Sequence, residues 1–274
     1  MISTNVRTTT KTLKPQARPP LYWMFADALV LAKRHLLQIP RIPDELIFAT
    51  IQPIMFVLLF RYVFGGAIAV SGTTYVNFLM AGIFVQTVIF GSTSTGIGLA
   101  TDLQRGLIDR FRSLPMAKSA VLTGRTLSDL VRNTFVVIVM WTVGLLVGFQ
   151  PQGNVLAWFL AAGLLLLTSF AFSWISAIVG LSVNSVEAAQ SAGFIWLFPL
   201  TFASSAFVPT QSMPPWLRAF AEHQPVTQIV NATRGLLLNH PDATTIWIAI
   251  AWCVGILVVF IPLSVRAYGR RTAR

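Results

Sequence analysis

At 274 residues, with 55% hydrophobic and only 11% charged residues and a mean hydropathy of +0.70, the chain falls far below the roughly 25% charge of a water-soluble domain. Repeated long apolar runs place it in the membrane class. The net charge of +11 invites a nucleic-acid reading, which the placement of the charges argues against. The single cysteine, Cys253, lies inside an apolar run, so an intramolecular disulfide and a thiolate metal site are excluded.

Residues 1–20 are rich in Thr, Lys, Arg and Pro, and the composition predicts a disordered tail. Their basic residues precede no apolar stretch of the kind a secretory signal needs. In Leu21–Gln38, residues Tyr22, Phe25, Leu29, Ala32 and Leu36 recur at steps of three and four. This pattern predicts a helix lying in the membrane interface. Six spans follow, each near the roughly 20 residues that cross a bilayer: Leu46–Phe64, Val76–Ala100, Leu127–Phe149, Val155–Leu181, Ala192–Val208 and Thr245–Ala267. Gln52-Pro53 is expected to kink the first. The expected fold is therefore an all-α membrane protein, one six-span domain over 21–267, with a basic tail at 268–274.

Lys and Arg set the orientation. Seven precede the first span, six lie around the connection between spans two and three, and four lie at or beyond the end of the sixth span. The opposite side holds only Arg218 and Arg234, while Arg61 ends the first span. Both termini are thus expected in the cytoplasm, and the basic excess serves topology and anionic lipid headgroups. The longest outer connection, Pro209–Thr244, is amphipathic. It predicts two short helices at about 213–238 dipping into the outer interface, with Arg218, Glu222, His223 and Arg234 facing water or each other.

The inner connection Thr101–Arg132 is longer than a simple turn requires. Leu103, Leu107, Ile108, Phe111 and Leu114 share one helical face. Arg105, Asp109 and Arg112 are spaced for i,i+4 and i,i+3 pairing, Arg110 adds to the charged lattice, and Pro115 ends the pattern. A short amphipathic helix, about 102–115, built between two spans looks made to be held by a partner. Glu187, the only charge in the inner turn Ser182–Ala189, marks a second, smaller contact.

Enzymatic and ion-coupling signatures are missing. Lys11-Thr12 and Lys118-Ser119 lack the preceding glycines of a phosphate-binding loop. His35, His223 and His240 are scattered. Gly91–Gly98, GSTSTGIG, offers serines without a basic partner at membrane depth, which reads as close packing by small residues. Few ionisable groups occupy the spans, so a proton- or ion-coupled engine is not evident. Gln52, Asn77, Gln86 and Thr87 are polar at membrane depth and are candidates to line a path or to bond neighbouring helices.

The blocks Gln104–Arg132 (QRGLIDRFRSLPMAKSAVLTGRTLSDLVR), Phe198–Thr227 (FPLTFASSAFVPTQSMPPWLRAFAEHQPVT) and Ala232–Leu238 (ATRGLLL) resemble the permease subunits of bacterial ABC exporters of the daunorubicin-resistance type. The resemblance implies that the helix at 102–115 is a coupling helix, seated in a groove of a separate ATP-binding subunit. Asp102, Arg105, Leu107, Asp109, Arg110, Phe111, Arg112 and Leu114 would make that contact. It further implies two permease subunits, identical or not, with two ATPase subunits in the bacterial cell membrane. This chain would hold no cofactor, the partner binding ATP and Mg, and a drug, antibiotic or lipid would pass between the permeases. Self-sufficient carriers, channels and intramembrane enzymes are the competing classes.

Overall fold

A computed structural model describes residues 43–68, 70, 72–106 and 118–271, which contain helices and no strand. Helix α1 (Pro43–Leu58) runs directly into a π-helical turn, Leu59–Phe64. Then come α2 (Tyr75–Gly91), α3 (Thr93–Gln104), α4 (Lys118–Leu146), α5 (Val155–Ser182) and α6 (Val186–Phe202). A 3₁₀ turn at Thr210–Ser212 leads to α7 (Pro215–His223), α8 (Pro225–Leu237) and α9 (Ala243–Arg271). The tail 1–20, the interfacial helix at 21–38, and Leu107, Asp109, Arg110, Phe111, Arg112 and Leu114 lie outside the described residues.

Among the described residues, four helical stretches are long and apolar enough to cross a membrane: Tyr75–Gln104, Leu122–Leu146, Val155–Ser182 and Ala243–Arg271. Ala49–Phe64 is apolar but shorter, and α6 has 17 residues, about 26 Å against the roughly 30 Å of a hydrocarbon core. The span expected at Ala192–Val208 thus begins earlier and ends at Phe202, just past Pro199, leaving 203–208 non-helical. Glu187, expected in a turn, lies in the first turn of α6. Residues 268–271, expected as tail, are the last turn of α9.

The helix starts have local causes. Thr74 caps α2 by accepting from Asn77 N, Asn154 caps α5 through Ala157 N, and Ser185 caps α6 through Ala188 N. Asp242 accepts from the amides of Thr244 and Thr245 to start α9; the Thr245 bonds hold its carboxyl below the usual range. The long rod Tyr75–Gln104 is interrupted at Ser92. There Ser92, Thr93 and Ser94 each donate a hydroxyl to the carbonyl three residues back, at 2.6, 2.7 and 2.8 Å. Such back-bonding competes with the backbone ladder and bends a helix.

Helix α2 is the centre of the bundle, with nearly every residue buried. At one end, Tyr75 Oη donates to Phe207 O (3.0 Å), Gln150 N to Asn77 Oδ1 (2.9 Å), and Gln152 N and Gly153 N to Leu237 O. Phe60 stacks on Phe207 with 4.5 Å between ring centroids, bringing the end of α1 there too. At the other end lie the end of α3, the start of α4 and the turn between α5 and α6. The small residues of 91–98 do pack closely. A Cβ on Gly96 would sit 2.4 Å from Ser176 O, and one on Gly180 2.1 Å from Gly96 O, so α3 and α5 touch backbone to backbone. Gly144 meets the Met80 methyl within the same chain, and Gly148 takes φ +97° in the turn after α4.

Candidate functional site

The end of the bundle where α3 stops and α4 starts is organised by charge. Asp102, near the end of α3, pairs with Arg125 of α4 at 3.3 Å. Deeper in, Asp129 is buried and its two oxygens accept from Ser94 Oγ (3.0 Å) and Thr95 Oγ1. Arg132, one turn further along α4, donates to Gly91 O at 2.7 Å and to Ser94 Oγ, and lies 3.8 Å from Asp129 Oδ1. Its Nε is buried without an acceptor among the described residues. Asn133 Nδ2 donates to Ser169 Oγ at 2.7 Å, extending the network to α5. The hydroxyl-rich bend between α2 and α3 is therefore the acceptor and donor surface for α4. Buried charges persist only when paired and hydrogen-bonded, and this pair meets that condition except at Arg132 Nε.

These contacts fix the depth of both helices. From the level where Ser94 and Thr95 meet Asp129, α3 continues to Gln104 and α4 reaches back to Lys118, about 15 Å in each case. The two ends thus reach one depth, and 105–117 connects them. Helix α3 stops where Gly106 adopts φ +64°, a left-handed conformation that glycine adopts without a Cβ penalty. Asp102 consequently closes α3 rather than opening a separate helix, and Arg105 is exposed at its C-terminal cap. Arg125 and Arg132, counted from sequence as loop charges, belong to α4 and face Asp102 and Asp129. Glu187 is exposed.

The four polar candidates at membrane depth are spread out. Gln52 is exposed on α1. Asn77 is buried and spends its Oδ1 on Gln150 N. Thr87 is buried and donates to Ile83 O at 2.7 Å. Gln86 is buried with neither side-chain amide atom bonded among the described residues.

At the opposite end, the non-helical segment 203–208 is held from α8. Gln224 Nε2 donates to Leu200 O and Ala203 O, and Thr227 Oγ1 accepts from Ser205 N. Arg218 and Glu222 of α7 face each other at 2.7 Å, as expected, and this contact holds the Glu222 carboxyl below the usual range. Arg234, expected to face water or the other charges of that connection, does neither. Its Nε donates to Phe78 O (3.2 Å), Nη2 to Ser205 O (2.7 Å) and Nη1 to Asn231 Oδ1 (2.9 Å), with the guanidinium 3.7 Å from the centroid of the Phe78 ring. Arg234→Met is expected to lower stability by about 2–3 kcal/mol, because bonds from a charged donor to fixed carbonyls are lost. Glu222→Gln, at an exposed pair, is expected to leave the thermal midpoint unchanged. Thermal melts of the two variants in one detergent check both.

Sequence reasoning counted Arg125, Arg132 and Arg234 among the orienting charges and noted Asp129 near the start of the third span, but assigned none of them these partners. The i,i+3 spacing of Asp129 and Arg132 was an available signal; their partners on α3 were not. Among the described residues no group of His, Cys, Asp or Glu is clustered for a metal.

Residues 27–238 match the family described as ABC-2 type transporter. The chain is 33% identical over 240 residues to the daunorubicin resistance ABC transporter permease protein DrrB1 of Streptomyces coeruleorubidus, covering 88% of this chain and 85% of that one. It is 25% identical over 242 residues to the probable doxorubicin resistance ABC transporter permease protein DrrC of Mycobacterium tuberculosis, covering 88% and 87%. With the inner membrane transport permease YadH of Escherichia coli it shares 22% over 248 residues, covering 88% and 91%. The apolar rods and these matches agree: the chain is an integral membrane ABC transporter permease and belongs to the ABC-2 type transporter family.

Proposed function

We propose that this chain is the membrane-spanning subunit of an ATP-driven exporter in the bacterial cell membrane, moving a hydrophobic or amphipathic compound. The observation that carries the reading is the inner end of α3 and α4. Two helices, joined by the Asp102–Arg125 pair and the Asp129–Arg132 cluster, end at one depth and carry 105–117 between them. A push on that connection reaches both helices together. An apolar ridge of Leu107, Phe111 and Leu114 would anchor in the groove of a separate ATP-binding subunit, while Arg105, Asp109, Arg110 and Arg112 set register by charge. ATP bound by that subunit would favour one arrangement of the complex by differential binding.

In this reading α1 and α6 complete six spans, with both termini cytoplasmic. Helices α7 and α8 cap the outer interface, where the exposed Trp216 and Phe220 suit lipid. Two permease and two ATP-binding subunits would assemble, with cargo between the permeases and Gln52, Asn77, Gln86 and Thr87 as candidate lining. The drug-resistance names of two relatives support an antibiotic-like cargo. Asp129 is the feature that would favour a self-sufficient carrier, but its oxygens are taken by Ser94, Thr95 and Arg132.

Co-purification tests the coupling. Leu107→Asp with Phe111→Asp is expected to leave the chain in the membrane and to reduce the ATP-binding subunit recovered with it about tenfold or more, the loss of apolar anchors from a groove. Undiminished recovery would contradict the assignment. For topology, Ser212→Cys is expected to react with an impermeant thiol reagent in intact cells and Ser119→Cys is not.

A further inference from the structure

The inner ends of α3, α5 and α9 form one body. Gly96 and Gly180 touch, Ser92 Oγ lies 3.4 Å from Ser176 Oγ, and Ser264 Oγ of α9 donates to Trp174 O of α5 at 3.0 Å. Arg271, the last residue of α9, closes this body over the turn that leads to α6. Its Nε donates to Leu181 O (2.9 Å), Nη2 to Val183 O (3.3 Å), and Nη1 and Nη2 each to Asn184 Oδ1 (3.1 Å). The final carbonyls of α5 lack partners in their own helix and carry the negative end of its dipole, so a guanidinium suits them.

Capping α5 accounts for only part of this arrangement. Two of the four bonds go to the side chain of Asn184, which is exposed and is not a helix carbonyl. Ordering an arginine and an exposed turn costs conformational entropy. Beyond the turn come Ser185, the cap of α6, and then Glu187, exposed in its first turn and without an ion-pair partner among the described residues. The Gly96–Gly180 contact also fixes depth. Ser182 stands level with about Gly98, so α3 projects about 9 Å beyond it to Gln104. Glu187 is therefore presented from the same body as the end of α3, set back from it by about 9 Å.

We propose that Arg271 is a positioning residue: by freezing the 182–185 turn it aims Glu187 at a cationic side chain of the ATP-binding subunit, making the first turn of α6 a second docking contact. This rests on the coupling reading above. An isolated carboxylate on an inner surface otherwise rich in arginine, with Arg105, Arg266 and Arg270 all exposed, selects a basic partner group by charge complementarity.

The test uses the whole complex in lipid nanodiscs and reads its ATP turnover against that of the ATP-binding subunit alone. Arg271→Ala and Glu187→Gln are each expected to lower turnover about fivefold while the ATP-binding subunit still co-purifies. The double variant is expected to be no worse than either single one, because both act through one contact. Arg271→Lys, which cannot fork across three acceptors, is expected to stay low. Losses that multiply in the double variant, or normal turnover in Glu187→Gln, would overturn the proposal. If Arg271→Ala does not fold, Asn184→Ala replaces it, removing two bonds and leaving those to the backbone. An unmodified chain that recovers no ATP-binding subunit would instead sink the coupling reading, and this proposal with it.

Discussion

Asp129→Ala is expected to destabilise the chain by about 3–5 kcal/mol, the cost of breaking one side of a buried ion pair. The carboxylate gathers Ser94, Thr95 and Arg132. Its removal leaves the Arg132 cation without its carboxylate, with Nε already lacking an acceptor among the described residues, and leaves the buried Thr95 hydroxyl without its acceptor. The loss should be read as a lower thermal midpoint in detergent and a smaller monodisperse fraction after extraction. Asp129→Asn keeps the shape and part of the hydrogen bonding, so it is expected to cost less. Adding Arg132→Met to Asp129→Ala is expected to recover part of the loss, since replacing both ions of a buried pair is far cheaper than orphaning one. A double variant as unstable as the single would mean that an unpaired Arg132 is not the source of the loss.

Gly180→Val is expected to be comparably severe, for a steric reason. Its first added carbon would lie 2.1 Å from Gly96 O and 2.6 Å from Gly96 C, whereas Cβ contacts below 3.0 Å are essentially never seen. Both partners are backbone, so no side chain is available to swing away. Helices α3 and α5 must separate, which breaks the Ser92–Ser176 contact and loosens the packing of α3, α5 and α9 as a whole. Overpacking of this kind costs about 3 kcal/mol or more, and helix association in lipid relies on such close approach by small residues. Gly163→Val on the same helix is the control. Nothing lies within 4 Å of a Cβ there, so its melting behaviour is expected to match the unmodified chain. Equal melting of the two variants would mean that the Gly96–Gly180 contact does not hold the two helices together.

The apolar runs located the rods because hydrophobic length is a property of a single segment, which sequence records directly. The amphipathic stretch after α6 was legible as two helices for the same reason, its proline and apolar spacing being local. The charge distribution also told loops from spans, except at the start of α4. There Arg125 and Arg132 read as loop charges because Asp102, Ser94 and Gly91, to which they bond, sit on other helices, and only the packing of α4 against α2 and α3 brings them together. Arg234 was misread more completely. Its acceptors are Phe78 O and Ser205 O, and a backbone carbonyl leaves no residue-type signal to search for. The early end of α6 at Phe202 was hidden by the apolar character of 203–208, whose backbone is satisfied by Gln224 and Thr227 rather than by helix continuation. The bend at Ser92 was visible as three consecutive hydroxyl residues, but their back-bonding to carbonyls is a choice of rotamer that composition does not dictate.

This permease is expected to open and close only at the direction of a separate ATP-binding subunit. Proteoliposomes containing the purified chain, with and without that subunit, test this most directly when ATP is supplied and daunorubicin is the reporter. The expected result is no ATP turnover and no accumulation against a gradient with the chain alone, and ATP-dependent accumulation once the subunit is added. A gradient built by the chain alone, with no nucleotide present, would contradict it.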